Sequence, residues 1–326
     1  MIDFEKLDTF VLAAETLSFS DAAKHLNLTQ PTVSYHIKAL EEEMGMQLFE
    51  RRGSQLNLTE AGQLLLPWAR KLINQSIEMQ EMMLSLHDGV VGQLRIACST
   101  TAGKYVLPQL AARFCHRYPG IRVSIPRCNP ENVIPQLLEN EANLGVISHE
   151  LLDETFELQE FFEDLITLIV PANHPWAMRR VIEPDELINE AIIMREPTSG
   201  TRKVLLSELA KHDINLDDLN VFMELGNAEA IVRTVSAGYA VSFVSTLATA
   251  CPLERGHVVD VKVVGLNLRR KIFMVRKRLE SPHRPQEVFW GFVHSPKNID
   301  LIEMAGVPGY LKQHQNSSKN KNNERD

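Results

Sequence analysis

The chain lacks any C-x-x-C pair: its four cysteines, Cys98, Cys115, Cys128 and Cys251, lie far apart. That excludes the spacing of a zinc site and suits a reducing compartment, where the thiols read as small buried hydrophobes. The histidines are equally dispersed, with no H-E-x-x-H, so no metal and no other cofactor is expected. The phosphate loops G-x-x-x-x-G-K-[ST] and G-x-G-x-x-G are missing, as is the nucleophile elbow G-x-S-x-G, which argues against an enzyme. Long apolar runs are missing too. LITLIVPA, Leu165 to Ala172, is among the longest, against the about 20 residues that cross a bilayer. The start, MIDFEKLD, is acidic and carries no signal-peptide pattern, so a cytoplasmic protein without a membrane partner is expected. Excess positive charge is lacking as well: 34 Lys and Arg face 42 Asp and Glu, a net of −8. The molecule as a whole is therefore no general nucleic-acid binder, which leaves room only for a local basic surface.

What is present fits 326 residues organised as two or three units, each large enough to bury a core. Leu7, Phe10, Val11 and Ala14 share one helical face between Asp3 and Thr16. Ser20 then reads as the cap of a short helix, DAAKHL, and Thr29 as the cap of a second, QPTVSYHIKALEEEMG, with Pro31 in its first turn and Gly45 as its stop. Two helices around a tight turn form a helix-turn-helix, and the second offers Gln30, Thr32, Ser34, Tyr35, His36 and Lys38 to base edges and phosphates. A helical hairpin with a solvated polar face would show the same spacing. MQLFERRGSQLNLTEAG tips the balance, because it reads as two short strands with Arg51 and Arg52 at the tip, a wing.

The run SFSDAAKHLNLTQPTVSYHIKALEEEMGMQLFERR, followed by LTEAG, resembles the winged helix-turn-helix of LysR-type transcriptional regulators, in order and without gaps, over about the first 65 residues. The resemblance implies a homodimer or homotetramer that binds an interrupted palindrome in double-stranded promoter DNA and senses a small molecule through its C-terminal domain. RNA polymerase is a further candidate partner. Many members carry arginine where this chain has Tyr35, so a guanidinium contact to guanine is not carried over. Residues 1–58 hold five Lys and Arg against nine Asp and Glu. Phosphate contact then falls to Ser20, Lys24, Thr29, Pro31 at its helix start, Lys38, Arg51 and Arg52. With about 4 phosphates per half-site in a dimer, binding should fall with roughly the seventh power of salt.

From Thr59 a helical pattern runs to His87. Ala61, Leu65, Trp68, Leu72, Gln75, Met79, Met82 and Leu86 form a coiled-coil seam, and in the LysR-type family this helix is the dimer interface. Asp88-Gly89 and Gly92 end it.

From Gln93 onward, strands alternate with helices, which predicts a mostly parallel sheet with helices on both faces. Two such sets suggest two α/β lobes, and the resemblance implies a periplasmic-binding-protein-like effector domain. The expected class is α+β multidomain. Residues 1–58 are the winged helix-turn-helix, 59–89 the long linker helix, and 93–300 the effector-binding domain. Lobe I covers about 93–167 and 268–300, lobe II about 168–267, and a disordered tail covers 312–326.

Ligands in open α/β sheets sit beyond the carboxyl ends of strands, where helix N-termini favour anions. Two loops lie there: Ser99-Thr100-Thr101, and Thr198-Ser199-Gly200-Thr201-Arg202 within REPTSGTR. Ser148 and Asn227 are further candidates. Arg202 has two readings, a pair with the ligand's charge or a surface contact to Glu208 or a neighbouring lobe. The function expected is a ligand-responsive transcriptional regulator sensing a small anionic metabolite in the inter-lobe cleft, of the kind found among carbon-fixation or sulfur-assimilation regulators. The alternatives are a redox-switched regulator, although Cys251 is the only cysteine in 168–267, and a small-molecule enzyme.

Overall fold

The computed structural model describes residues 3–52, 55–88, 90–98, 101–126, 128–278 and 283–303. The expected tail, Ser99, Thr100 and the wing tip at residues 53–54 lie outside them, as do the side chains of Arg52 and Thr101. Contacts divide the chain into two units, Met1–Gly92 with Pro135–Ala142, and Gln93–Ile134 with Asn143–Asp326.

The first unit begins with α1 (Phe4–Thr16), α2 (Phe19–Leu26) and α3 (Gln30–Met44). Each is capped by a short polar side chain. Asp3 accepts from the Glu5 amide, Ser18 from Asp21, and Thr29 from Thr32, each worth about 1 kcal/mol. The cap of α2 is thus Ser18 rather than Ser20, which falls exposed in the first turn. Ser18 wins because its extended backbone lets its hydroxyl reach the Asp21 amide. Leu7, Phe10, Ala13, Ala22, Val33, Ile37 and Leu40 bury their side chains against one another and against Leu48 and Phe49.

The wing follows as β1 (Phe49–Arg52) and β2 (Gln55–Leu58), paired antiparallel. Then comes α4 (Glu60–Asp88), capped as expected by Thr59, whose hydroxyl accepts from the Gly62 amide. Gly62 has no room for a side chain: a Cβ there would stand 2.2 Å from the Leu48 carbonyl oxygen. The start of the expected seam turns inward, because Ala61 and Leu65 pack on the helix-turn-helix core with Ala69. Trp68, Leu72 and Met79 remain exposed. Of the remaining seam positions, the side chains of Met82 and Leu86 lie outside the described residues.

From there the chain runs β3 (Gly92–Cys98), α5 (Thr101–Tyr105), α6 (Leu107–Arg117), β4 (Ile121–Ser124), α7 (Val133–Leu138), most of which counts with the first unit, β5 (Leu144–Ile147) and β6 (Phe156–Pro171). It continues with α8 (Pro175–Arg179), β7 (Val181–Ile182), β8 (Ile192–Arg195), α9 (Gly200–Leu209), β9 (Val221–Leu225), α10 (Ala228–Ser236), β10 (Val241–Ser245) and α11 (Thr246–Glu254). β11 (Val258–Val263), β12 (Arg269–Lys277), α12 (Arg284–Val293) and α13 (Ile299–Glu303) complete it.

The strand order is β4-β3-β5-β12-β6-β10-β8-β9, with β11 also on β6. Pairs β3·β5, β8·β9 and β8·β10 are parallel, as the alternation predicts. The middle of the sheet differs: β12 pairs antiparallel with β5 and β6, and β10 and β11 pair antiparallel with β6. The reason is the length of β6. Residues up to Leu165 pair with β12, and from Ile166 onward with β10 and β11. β6 and β12 therefore carry the chain between two half-sheets in opposite directions, which requires an antiparallel pair. The sequence reading saw only the apolar end of β6, since FELQEFFED is too acidic to read as a strand. A bulge in this pair near Phe161 lets both Phe161 and Phe162 bury, where strict alternation would expose one. The second half-sheet rests on a core of Ile166, Leu168, Leu187, Ile192, Leu205, Leu209 and Phe243.

Candidate DNA-reading surface and effector cleft

On α3, Gln30, Pro31, Tyr35 and Lys38 are exposed, and Thr32, Ser34 and His36 are half-buried. Two of the expected groups already have partners. The Thr29 and Thr32 hydroxyls lie 2.8 Å apart in the cap, and the His36 Nδ1 lies 3.0 Å from the Thr9 hydroxyl of α1. Lys24 is held by Asp21 at 2.7 Å and Lys38 lies 3.8 Å from Glu42. Both lysines are highly exposed, so these pairs are weak and release readily for phosphate. Arg51 is exposed on β1. One residue the sequence reading missed sets the wing against α3. The Glu41 carboxylate accepts from the amides of Leu48 and Phe49 at 2.7 and 3.2 Å. Its helical position looked like one more solvated acid.

In the second unit, REPTSGTR joins β8 to α9. Ser199 occupies the cap position but its side chain caps nothing. The first amide bonded within the helix is that of Lys203, to the Ser199 carbonyl, which leaves the N–H groups of Gly200, Thr201 and Arg202 without intrahelical acceptors. Ser199 and Thr201 are buried, and the Thr201 hydroxyl has no partner among the described residues. An unsatisfied buried hydroxyl costs about 1–3 kcal/mol, so this end of α9 is set up for an acceptor that the described residues do not provide. Thr198 is half-buried beside it.

Ser148, directly after β5, faces this turn from the other half-sheet. A Cβ added at Gly200 would stand 2.4 Å from the Ser148 hydroxyl and 2.8 Å from Nη1 of Arg270. Next to Ser148, partial burial and then the Lys203 ammonium hold His149 below its ordinary value. Arg270, at the start of β12, is 7% exposed, and its register partner on β6, Asp164, is fully buried. Arg270 Nε donates to Asp164 Oδ2 at 2.8 Å, and the Ser245 hydroxyl, at the end of β10, donates to Oδ1 at 2.5 Å. Arg270 Nη2 lies 2.7 Å from the same Oδ2 but lacks hydrogen-bond geometry there. Neither Arg270 nor Asp164 was singled out in the sequence, because nothing local distinguishes them from the surface charges around them.

Two other candidates are engaged elsewhere. Arg202 Nη1 donates to Glu224 of β9 at 2.6 Å and to the Arg195 carbonyl at 2.8 Å, so it straps α9 to β8 and β9, and its carboxylate partner is Glu224 rather than Glu208. Glu208 instead pairs with Lys211 and accepts from the Asn267 amide. Asn227 spends its side-chain oxygen capping α10, accepting from Glu229 and Ala230. Glu229 in turn accepts from the Tyr105 hydroxyl of α5 at 3.1 Å, and burial together with this carboxylate raises the phenol's pKa. A cavity of about 980 Å³ lies against α11, β11 and the start of β12; it includes neither Ser148 nor the α9 turn.

Comparison with known proteins covers both units of the chain. The bacterial regulatory helix-turn-helix protein, lysR family, matches residues 4–63, and the LysR substrate binding domain matches residues 87–295. An uncharacterized HTH-type transcriptional regulator of Methanocaldococcus jannaschii is 34% identical, over 87% of this chain and 96% of its own. The HTH-type transcriptional activator CmpR of Synechocystis is 31% identical, over 84% of this chain and 88% of its own. The CcmR regulatory domain of Synechocystis, solved in complex with 2-PG, is 28% identical over 62% of this chain and 95% of its own, with a TM-score of 0.56. Among the described residues, no helix is long and apolar enough to cross a membrane.

Proposed function

Because the chain belongs to the lysR family of DNA-binding transcriptional regulators, with its helix-turn-helix and its effector-binding domain, we propose that it senses a small anionic metabolite between its two half-sheets. The observation that carries this reading is the start of α9. It carries three amides without intrahelical acceptors, an uncapping Ser199 and a buried Thr201 hydroxyl with no partner among the described residues, and its Gly200 packs against Ser148. A helix N-terminus stabilises an anion by up to about 2 kcal/mol when partly buried, so added hydroxyl donors bring affinity into the range of a metabolite sensor. The CcmR regulatory domain of Synechocystis, a relative of this domain, holds an anion, 2-PG, which supports an anionic effector.

The DNA-reading groups in this proposal are Ser20, Lys24, Gln30, Pro31, Ser34, Tyr35, Lys38, Arg51 and Arg52, with Thr29 and Thr32 holding the helix start and His36 tying α3 to α1. The protein acts inside the cell as a homodimer or homotetramer, joined through the exposed Trp68, Leu72 and Met79 of α4, and works with RNA polymerase at the promoter. Effector binding shifts the response only if one lobe arrangement binds it more tightly than the other. Titrating the full chain with 2-PG while footprinting promoter DNA tests this: a footprint or bend that changes with occupancy is expected. An unchanged complex at saturation would disprove the coupling and leave DNA binding intact.

A further inference from the structure

We propose that Arg270 is the effector's counter-charge, a role that Arg202 cannot fill because Glu224 and the Arg195 carbonyl hold it. The inference rests on the cleft reading above and deepens it. Arg270 is buried, yet its guanidinium is only partly used. Its Nε and Nη2 both crowd the single Oδ2 of Asp164, since Ser245 occupies Oδ1, and Nη2 finds no hydrogen-bond acceptor among the described residues. A guanidinium carries five donors arranged for two-oxygen recognition, and here the fork is denied its second oxygen. Its Nη1 and the Ser148 hydroxyl stand 2.8 and 2.4 Å from the point a Cβ on Gly200, the first residue of α9, would occupy. The buried cation thus stands beside Gly200, the first residue of α9, whose amide has no intrahelical acceptor.

The ligand class follows from these donors: a compact anion with at least two oxygens on one centre, a carboxylate or a phosphate. Gly200 is the residue that permits the approach, since any Cβ would fill the space between Ser148 and Nη1. The position of Arg270 also gives the ligand a lever. Arg270, Asp164 and Ser245 sit on β12, β6 and β10, at the point where β6 changes partner from β12 to β10. An anion drawing on Arg270 loosens its hold on Asp164 at the junction between the half-sheets.

Calorimetric titration of the full chain with 2-PG, inorganic phosphate and glycolate tests the assignment, the last two separating phosphate from carboxylate recognition. Removing Arg270 alone would leave Asp164 buried without its counter-charge, with only Ser245 donating to it, so the informative variant is the double change Arg270→Gln with Asp164→Asn, checked for a cooperative melt. The expected result is an increase of about 10- to 100-fold in the Kd of 2-PG. Arg270→Lys should recover part of it, and Arg202→Gln should change it less than about threefold. Wild-type affinity in the double variant, with Thr201→Val still weakening binding, would make Arg270 purely structural while the cleft stood. Equal losses in the double variant and Arg202→Gln would also overturn the assignment, as general damage to the lobes. Failure of all three anions to bind the wild type would overturn the anionic cleft itself and this inference with it.

Discussion

Gly200 and Ser148 stand so close across the cleft that a methyl group on Gly200 would come within 2.4 Å of the Ser148 hydroxyl. The two residues lie on different half-sheets, at the start of α9 and just after β5. Gly200→Ala forces this contact apart. Overpacking of this kind costs about 1–3 kcal/mol, and the cost is avoided by opening the cleft. The expected outcome is a 10- to 100-fold loss of effector affinity with little change in thermal stability, read by titration and melting in parallel. A melting loss as large as the binding loss would show that the contact holds the fold rather than the closed cleft.

The wing offers a test of how an acidic domain grips DNA. Arg51 is exposed beside α3, and Arg51→Ala should weaken binding evenly across promoter sequences. The slope of log affinity against log salt should become shallower by about 1 per half-site. Glu41→Ala should act differently, by releasing the Leu48 and Phe49 amides and loosening the wing. That change lowers domain stability by about 1–3 kcal/mol, measurable by denaturant melts without DNA.

Oxidation should not switch this regulator. Cys115, Cys128 and Cys251 are free thiols. Burial pushes the Cys128 thiol up, away from the reactive thiolate. Peroxide treatment should leave the promoter footprint unchanged, and Cys251→Ser should behave as wild type. A footprint that shifts with peroxide and is restored by reductant would reinstate a redox switch.

Acid sensitivity should trace in part to His283, which caps α12 by accepting from the Gln286 amide. Burial lowers its pKa to about 4. The unfolded chain therefore takes up a proton near pH 6.5 that the folded chain refuses until about pH 4. Stability attributable to this residue is full above that window and is lost as pH falls through it, to a total of about 3 kcal/mol. His283→Gln, which keeps an acceptor for the Gln286 amide, should flatten the stability profile between pH 4 and 6.5. An unchanged slope would place the acid sensitivity elsewhere.

The effector site was half legible. REPTSGTR announced itself because hydroxyls and a glycine between an apolar strand and an amphipathic helix are a local pattern. The same local view could not tell which of its side chains are free. Arg202, which the sequence left open between an anion pair and a surface contact, is engaged by Glu224, and Asn227 is spent on its own helix. Only the sheet's register shows that Arg270 has donors to spare.

The sequence alone determined the helix-turn-helix, its wing, the Thr29 and Gly45 boundaries of α3 and the alternation of strands and helices, because caps, stops and hydrophobic period act over a few residues. Tertiary structure decided the rest: that β6 runs on through an acidic segment, that the half-sheets meet in an antiparallel pair, and that Ala61 and Leu65 serve their own domain rather than a seam. It also decided which charge lies buried at the cleft. Asp164 and Arg270 are 106 residues apart, and a pairing over that distance is fixed by sheet register, which no local spacing encodes.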